Sequence, residues 1–292
     1  MDRLPYVFLE SVAAALNKSD LEQLLLISGT WSSAASIHHA KRHNLEVLLS
    51  PSDQDDGEVE VDFIIPETGD RITSVDTKHH RIMSIMGARL DLGNPKISVE
   101  QFRNTTMPLL CTLASQCTLT VLRYFPQRLC DVLFDGLREC AGLTIISISN
   151  LGTECHAFIK RQVEIGTVKQ LTLEPHNGWP VYLQNSVDLF VKSPNFQYLD
   201  ITRTNLTLTR DMVTSLFDRF FKEELTEGKL CGPSAFPITF FYDLYTDSVT
   251  FPEEWRNSGQ PARWTSPALS STLEVKIQGK EIVCKIVQNP PV

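Results

Sequence analysis

Apolar residues recur along this chain with a helical period at its start, and with a strand period and a strand–helix alternation further on. Over the first forty residues the period is helical. After Leu4-Pro5, the residues Phe8, Val12 and Leu16 fall four apart, with Leu9 beside them. Proline is at home at the start of a helix, where its missing N–H leaves no bond unmade. Asn17 is a stop signal. Ser19-Asp20-Leu21-Glu22 reads as a capping box that opens a second helix carried by Leu21, Leu24, Leu25 and Ile27. Ser28-Gly29 breaks it, and Trp31, Ala34, Ala35 and His38 set the spacing of a third. Helices this short gain their stability from packing, so they must bury a face on one another or on a partner.

Beyond them the pattern changes. Asn44 to Leu49 suits a strand or a helix end, and residues 51–60 (PSDQDDGEVE) are acidic with Pro and Gly, which predicts a solvated loop and a seam in the chain. Val59, Val61, Phe63 and Ile65 alternate with Glu60, Asp62 and Ile64 and predict a strand, whereas residues 72–92 carry only short apolar pieces. From Ile97 a longer rhythm sets in. Leu119-Thr-Val121, Ile146-Ser-Ile148, Leu171-Thr-Leu173 and Leu199-Asp-Ile201 share the form aliphatic-x-aliphatic. They recur at intervals of roughly 25–28 residues, the scale of a structural repeat. Helical stretches lie between them, around Leu129 to Leu137, His156 to Val163 and Val187 to Phe190. Strand plus helix, repeated, predicts units that bury one face against their neighbours. The rhythm then ends. Met212 to Leu225 is an amphipathic helix with Val213, Leu216, Phe217, Phe220 and Phe221 inward. Residues 238–245 read as a strand, and 251–270, with Trp255 and Trp264, as a loop. Leu273 to Ile277 and Ile282 to Ile286 flank Gln278-Gly279 as a hairpin expected to close the last sheet edge, and QNPPV as a frayed tail.

The opening stretch resembles the F-box. That family's pattern is Leu-Pro, an apolar helix, an Asp-Leu pair and an aliphatic-Ser-x-x-Trp ending. Leu4-Pro5, Phe8, Val12, Leu16, Asp20-Leu21, Leu24, Ile27-Ser28 and Trp31 follow it without a gap. Two departures stand out: the acidic residue frequent just after Leu-Pro is Tyr6 or Val7 here, and the proline common before the Asp-Leu pair is Lys18. The resemblance implies that Leu4, Pro5, Phe8, Leu9, Val12, Leu16 and Leu24 form, or support, a face that grips a Skp-family adaptor within a cullin-based ubiquitin ligase. The later rhythm resembles leucine-rich repeats. Phe196-Gln-Tyr-Leu-Asp-Ile-Thr-Arg-Thr-Asn-Leu206 is similar to that core motif with its asparagine displaced to Asn205, while Leu151 and His176 stand where two other repeats would place asparagine.

Composition narrows the function classes. The chain has 292 residues, 42% of them hydrophobic, and a formal net charge of −8. A nucleic-acid protein would usually present a basic face. The nearest approach, Lys78-His79-His80-Arg81, is too short for one and reads as a solvated turn. No apolar run looks like a signal peptide or approaches the ~20 residues of a membrane span, so no membrane association is expected. Seven cysteines, without a C-x-x-C pair, suit a reducing compartment, cytoplasmic or nuclear. The sequons at Asn104 and Asn205 are then chance matches. No catalytic motif is present: no G-x-S-x-G, no glycine-rich phosphate loop, no H-E-x-x-H. Cys155 and His156 are neighbours in sequence and so diverge on a helix, and His38-His39 and His79-His80 lack the spaced partners of a metal site.

The expected fold is α/β: an F-box-like three-helix module over 1–44, then a leucine-rich-repeat-like strand/helix solenoid over 45–292 ending in a β-hairpin. The expected function is non-catalytic, a substrate-recognition adaptor whose partners are the Skp/cullin machinery and an unidentified target protein, with no cofactor and no metal. The other reading is a repeat-type binding scaffold whose N-terminal helices are only a structural cap. Alternate residues of a strand face opposite ways. Ser147, Ser149, Thr172, Glu174, Asp200 and Thr202, with Arg203 just beyond, would therefore face away from their aliphatic neighbours and offer the target-binding surface.

Overall fold

A computed structural model describes residues 4–52, 57–175, 178–244, 249–250, 260–266 and 271–288. The chain divides into two compact units, residues 1–143 and 144–292.

The first unit opens with three helices, α1 (Tyr6–Ala15), α2 (Lys18–Leu25) and α3 (Thr30–Lys41). Pro5 sits at the N-cap of α1. The cap of α2 differs from expectation: Asn17, not Ser19, takes the Asp20 backbone N–H at 2.8 Å, so the residue read as a stop is the start signal of the next helix. Gly29, at φ 94°, makes the turn into α3. Leu9, Ala13, Leu21, Ala34 and Ala35 are buried.

The strands β1 (His43–Pro51), β2 (Glu58–Ile65), β3 (Asp70–Arg71), β4 (His80–Gly87) and β5 (Lys96–Ser98) follow. Then come α4 (Val99–Gln101), a π-helical turn (Phe102–Thr106), α5 (Met107–Leu113), β6 (Ala114–Val121) and α6 (Gln127–Gly136). The strand order is β6-β4-β1-β2-β3, with β5 also on β2; β1, β4 and β6 run parallel, while β2 pairs antiparallel with β1, β3 and β5. The π turn has a local cause. Pro108 has no N–H for the Asn104 carbonyl, and the Met107 N–H bonds instead to the Phe102 carbonyl, five residues back.

Residues 51–60 are no seam. Pro51 and Val59 pair across a β1–β2 hairpin, with residues 53–56 outside the described set. From Glu60 onward the alternation of β2 is also inverted, although Val59 is buried as expected. Glu60 and Asp62 are buried, whereas Val61, Phe63 and Ile65 are only half-buried. The reason is the strap from Ala88 to Lys96. Arg71 pairs with Asp62 at 3.0 Å and donates to the Leu92 carbonyl, Asn94 N–H points to Glu60, and Ser50 exchanges hydrogen bonds with Leu90.

The second unit continues with β7 (Leu143–Ile148), α7 (Thr153–Ile165), β8 (Gln170–Leu173), α8 (Leu183–Lys192), β9 (Tyr198–Asp200), α9 (Arg210–Phe221) and β10 (Lys229–Pro233). A 3₁₀ helix (Ile238–Asp243) precedes β11 (Val249–Thr250), β12 (Ala262–Thr265), β13 (Ser271–Gln278) and β14 (Glu281–Gln288). The order is β7-β8-β9-β10-β14-β13-β12-β11, parallel from β7 to β10 and antiparallel from β10 onward. The repeated aliphatic triplets of this unit are therefore real strands in a parallel array with helices between them. The solenoid expectation fails, because the array ends in an antiparallel sheet, and repeats stacked in one direction cannot produce that. Three further expectations change. Residues 238–243 are 3₁₀ helix rather than strand, because Phe241 turns inward against Phe217 and Trp264. Trp264 lies buried on a strand rather than in a loop. The β13–β14 hairpin turns at Gly279 (φ 65°) as expected, but it is interior to the sheet, with β10 and β12 at its sides. Trp255, His176 and most of the C-terminal tail lie outside the described residues.

Candidate functional site

Two surfaces carry the residues singled out by sequence. The first is the helical module. Of the residues expected to grip an adaptor, Leu4 (43% exposed), Pro5 and Phe8 (49%) face solvent, Val12, Leu16 and Leu24 are half-buried, and Leu9 is fully buried as support from within. Three residues outside that set are more conspicuous. Val7 is 72% exposed and Leu26 81%, with Ile27 also uncovered. Val7 and Phe8 lie in the first turn of α1, and Leu4 in the bend before its Pro5 cap. Fourteen large apolar side chains are exposed among the described residues, and seven lie between Leu4 and Ile37. That concentration marks the module off from the other described residues. Hydropathy alone could have flagged Val7 and Leu26, but attention to the motif positions passed over them. Trp31, which closes the F-box-like pattern, is only half-buried.

The module is tied down at one end by a polar cluster that the sequence reading took for a solvated turn. Arg42, buried after α3, donates to the Ala13 and Ala14 carbonyls at 2.9 and 3.1 Å and to the Lys78 carbonyl at 3.0 Å. It thus satisfies the C-terminal carbonyls of α1, which have no partner inside the helix. Burial pulls its guanidinium down to about 10, still well within the charged range at neutral pH. Lys78 reaches Glu10 at 2.6 Å and His79 reaches Asp76 at 2.7 Å. The Asp76 carboxyl is drawn down to about 2 by its hydrogen bond with His79. His38 is buried with both ring nitrogens unpartnered and its ring 5.3 Å from that of His79. Burial, and then the charge of Arg42, lower its pKa below the ordinary value. Among the described residues no group of three or more His, Cys, Asp or Glu is arranged to hold a metal ion.

The second surface is a face of the β7–β9 sheet. Ser147, Thr172 and Asp200 stand side by side in register across three strands, all half-buried, and Thr202 and Arg203 follow at the rim. The expectation of outward-facing side chains fails at Ser149, which is buried in the β7–α7 turn, where its carbonyl accepts the Cys155 thiol. Asp200 is not a free carboxylate. It accepts from Tyr198 Oη (2.8 Å) and from the backbone and hydroxyl of Thr202 (2.9 and 2.6 Å), so it builds the turn after β9. Glu174 is half-buried just beyond β8, and its carbonyl accepts the Trp179 indole N–H at 3.0 Å.

Asparagines knit the turns that follow these strands. Asn205 takes the Trp179 backbone N–H and donates to its carbonyl at 2.6 Å, while Asn150 donates to the Gly178 carbonyl. Asn150 is thus the displaced asparagine of its repeat, one residue before Leu151, and was missed for that reason. Its Oδ1 lies 2.6 Å from His156 Nε2, and Tyr182 Oη lies 2.9 Å from Nδ1. An amide oxygen only accepts, so Nε2 carries the ring proton and Tyr182 donates to Nδ1. Burial lowers the His156 pKa and favours this neutral form. The adjacent Cys155 is fully buried, and burial pushes its thiol up to about 12. It is an inert core thiol beside a histidine already committed to two neighbours.

No protein-family model matches the chain, and no curated protein matches it significantly. Among the described residues no helix is long and apolar enough to cross a membrane.

Proposed function

We propose that this protein is a non-catalytic substrate-recognition subunit of a Skp/cullin-type ubiquitin ligase, working in the cytoplasm or nucleus. α1 to α3 dock a Skp-family adaptor, and the β7–β9 face, with Ser147, Thr172 and Glu174 at its centre and Arg203 at its rim, receives the target. The observation that carries this reading is the uncovered apolar set Leu4, Val7, Phe8, Leu26 and Ile27 on the module whose register resembles the F-box. Monomeric proteins rarely expose apolar side chains in such concentration without a partner to cover them. Within this reading Leu9 and Ala13 hold the module together, and the residues beside them on α1 make the contact. The test is a pull-down of the full chain with a purified Skp-family adaptor and its cullin. Co-elution of all three supports the proposal, and a chain that elutes alone at micromolar concentrations refutes it.

A second reading draws on Arg42. Its three carbonyl bonds fasten α1 to the segment leading into β4, as a structural cap would require. On that reading the helices only complete the unit, and the chain is a binding scaffold outside any ligase. It leaves the exposed apolar side chains of α1 and α2 without a purpose, and it is the weaker account for that reason.

A further inference from the structure

The two faces of the second unit's sheet differ. On one, Ile146, Leu171, Leu199, Leu230, Cys284 and Val275 pair across neighbouring strands and are all buried. α9 packs on this face, its Phe217 ring 5.0 Å from that of Trp264, and α7, α8 and α9 touch in sequence. Right-handed crossovers between successive parallel strands keep all three helices on that side. The opposite face is different. Gln170, Tyr198, Lys229, Lys285, Glu274 and Arg263 stand in register across six strands, and each is exposed or half-buried. Sheets with parallel strands are ordinarily covered on both faces. Among the described residues, no helix of this unit covers this one.

Charge on the open face is arranged at a cost. Lys229 and Lys285 are direct partners on β10 and β14, and Lys276 of β13 lies diagonal to Lys285. Like charges directly opposed on a sheet destabilise it. The grouping is the more notable in a chain of formal net charge −8. The Lys229 ammonium lies 5.0 Å from the Tyr198 ring, which helps to hold it over the sheet. The neighbouring carboxylates are committed elsewhere. Glu274 accepts from Arg263 at 2.9 Å, Asp200 from Tyr198 and Thr202, and Glu281 from the Arg203 backbone N–H at 2.9 Å. None of the three lysines forms an ion pair among the described residues. Resting on the reading of this face as the target surface, we propose that it docks an acidic segment of a partner protein, whose carboxylates pair with Lys229, Lys276 and Lys285. The assignment holds whether or not α1 to α3 dock an adaptor. Bound carboxylates relieve the lysine–lysine repulsion of the free protein, so the arrangement favours an occupied face. A continuous phosphate backbone would meet Asp200, Glu274 and Glu281 between the cations, whereas the separate carboxylates of a peptide need not.

The test follows the fluorescence anisotropy of a labelled oligoglutamate peptide titrated with the native full chain. Binding is expected, and it should weaken as salt is raised, because exposed charges are screened. Carbodiimide coupling, mapped by peptide mass spectrometry, should join the peptide's carboxylates to Lys229, Lys276 or Lys285 and spare Lys160, Lys192 and Lys222 on and beside the helices. The double variant Lys229→Gln, Lys285→Gln should weaken binding at least tenfold with no loss of stability to denaturant, since it removes an opposed pair of like charges. Lys160→Gln should leave binding unchanged. Affinity unchanged in the double variant, equal binding of a single-stranded oligonucleotide, or no peptide binding at all would overturn the proposal. Coupling at the helical lysines instead would overturn both it and the target-face reading. An oligolysine peptide that binds this face in place of oligoglutamate would overturn the acidic chemistry and leave the target face standing.

Discussion

α1 and α9 are of similar length and handle their apolar residues in opposite ways. α9 buries Met212, Val213, Leu216, Phe217 and Phe220. The Phe217 ring lies edge-on to Trp264 at 5.0 Å and 6.2 Å from Phe241. α1 buries only Leu9 and Ala13 and leaves Tyr6, Val7 and Phe8 uncovered. In α9, hydrophobicity drives folding of its own unit. In α1, most of it is left over after the module has folded, and it is held in place instead by polar contacts to Arg42. Apolar content on its own says little about a helix. What distinguishes the two is whether the chain itself supplies the opposing face.

The largest effect that can break this comparison is a pair of matched truncations. Phe217→Ala should cost about 3–5 kcal/mol, as a large cavity in a packed aromatic cluster does. Phe8→Ala should cost less than about 1 kcal/mol, as a surface substitution does. Denaturant unfolding reads both, and equal losses would mean that α1 is covered after all. Next in size is Arg42→Met, which strips three buried or half-buried carbonyls of their donor. A loss of about 2–4 kcal/mol is expected, with little rescue by Lys, which lacks the forked donor. A loss below 1 kcal/mol would show that the module is held by its apolar core alone.

A smaller effect concerns pH. His38 faces Arg42, His79 and Lys78, with Glu10 opposing them, and its folded-state pKa lies below its unfolded value. Between those two values the unfolded chain binds more protons. The stabilisation is therefore complete above about pH 6.5 and is lost as pH falls from there toward the depressed folded value. His80 and His156, lowered chiefly by burial, add to the same trend. Melting temperature should fall from pH 7.5 to pH 5, and His38→Leu should flatten part of that slope. A slope unchanged in His38→Leu would remove His38 from the account. The smallest effect is on the sheet face: Thr172→Arg should move the melting temperature by less than about 2 °C, because a half-exposed strand residue on an open face has room for a long polar side chain. A drop of many degrees would mean the face is covered.

Much of the fold was legible because period follows geometry. The three N-terminal helices, the spaced parallel strands and the final hairpin all stand where the residue spacing placed them. Long-range polar pairing was not legible. Glu60 and Asp62 read as the solvent side of β2, and nothing local reveals that Arg71 and the strap past Leu90 will cover them. Residues 238–245 failed for a related reason: ITFFYDLY has strand propensity, but Phe241 is taken up by Phe217 and Trp264, and the backbone turns to deliver it. Of the candidate surfaces, sequence located the module and the strand row, but not which members were free. Ser149 and Asp200 are consumed by the turns after their strands, because small polar residues bond to nearby backbone as readily as they face outward.

The most direct test of the central claim is calorimetric titration of the full chain with a purified Skp-family adaptor, in the wild type and in the double variant Leu4→Ala, Pro5→Ala. Truncated anchors in an interface typically cost about 2 kcal/mol or more. The account predicts a one-to-one complex whose affinity falls at least tenfold in the double variant, with unfolding of the chain unchanged. Equal affinity in the two proteins, or no complex with either, would contradict it.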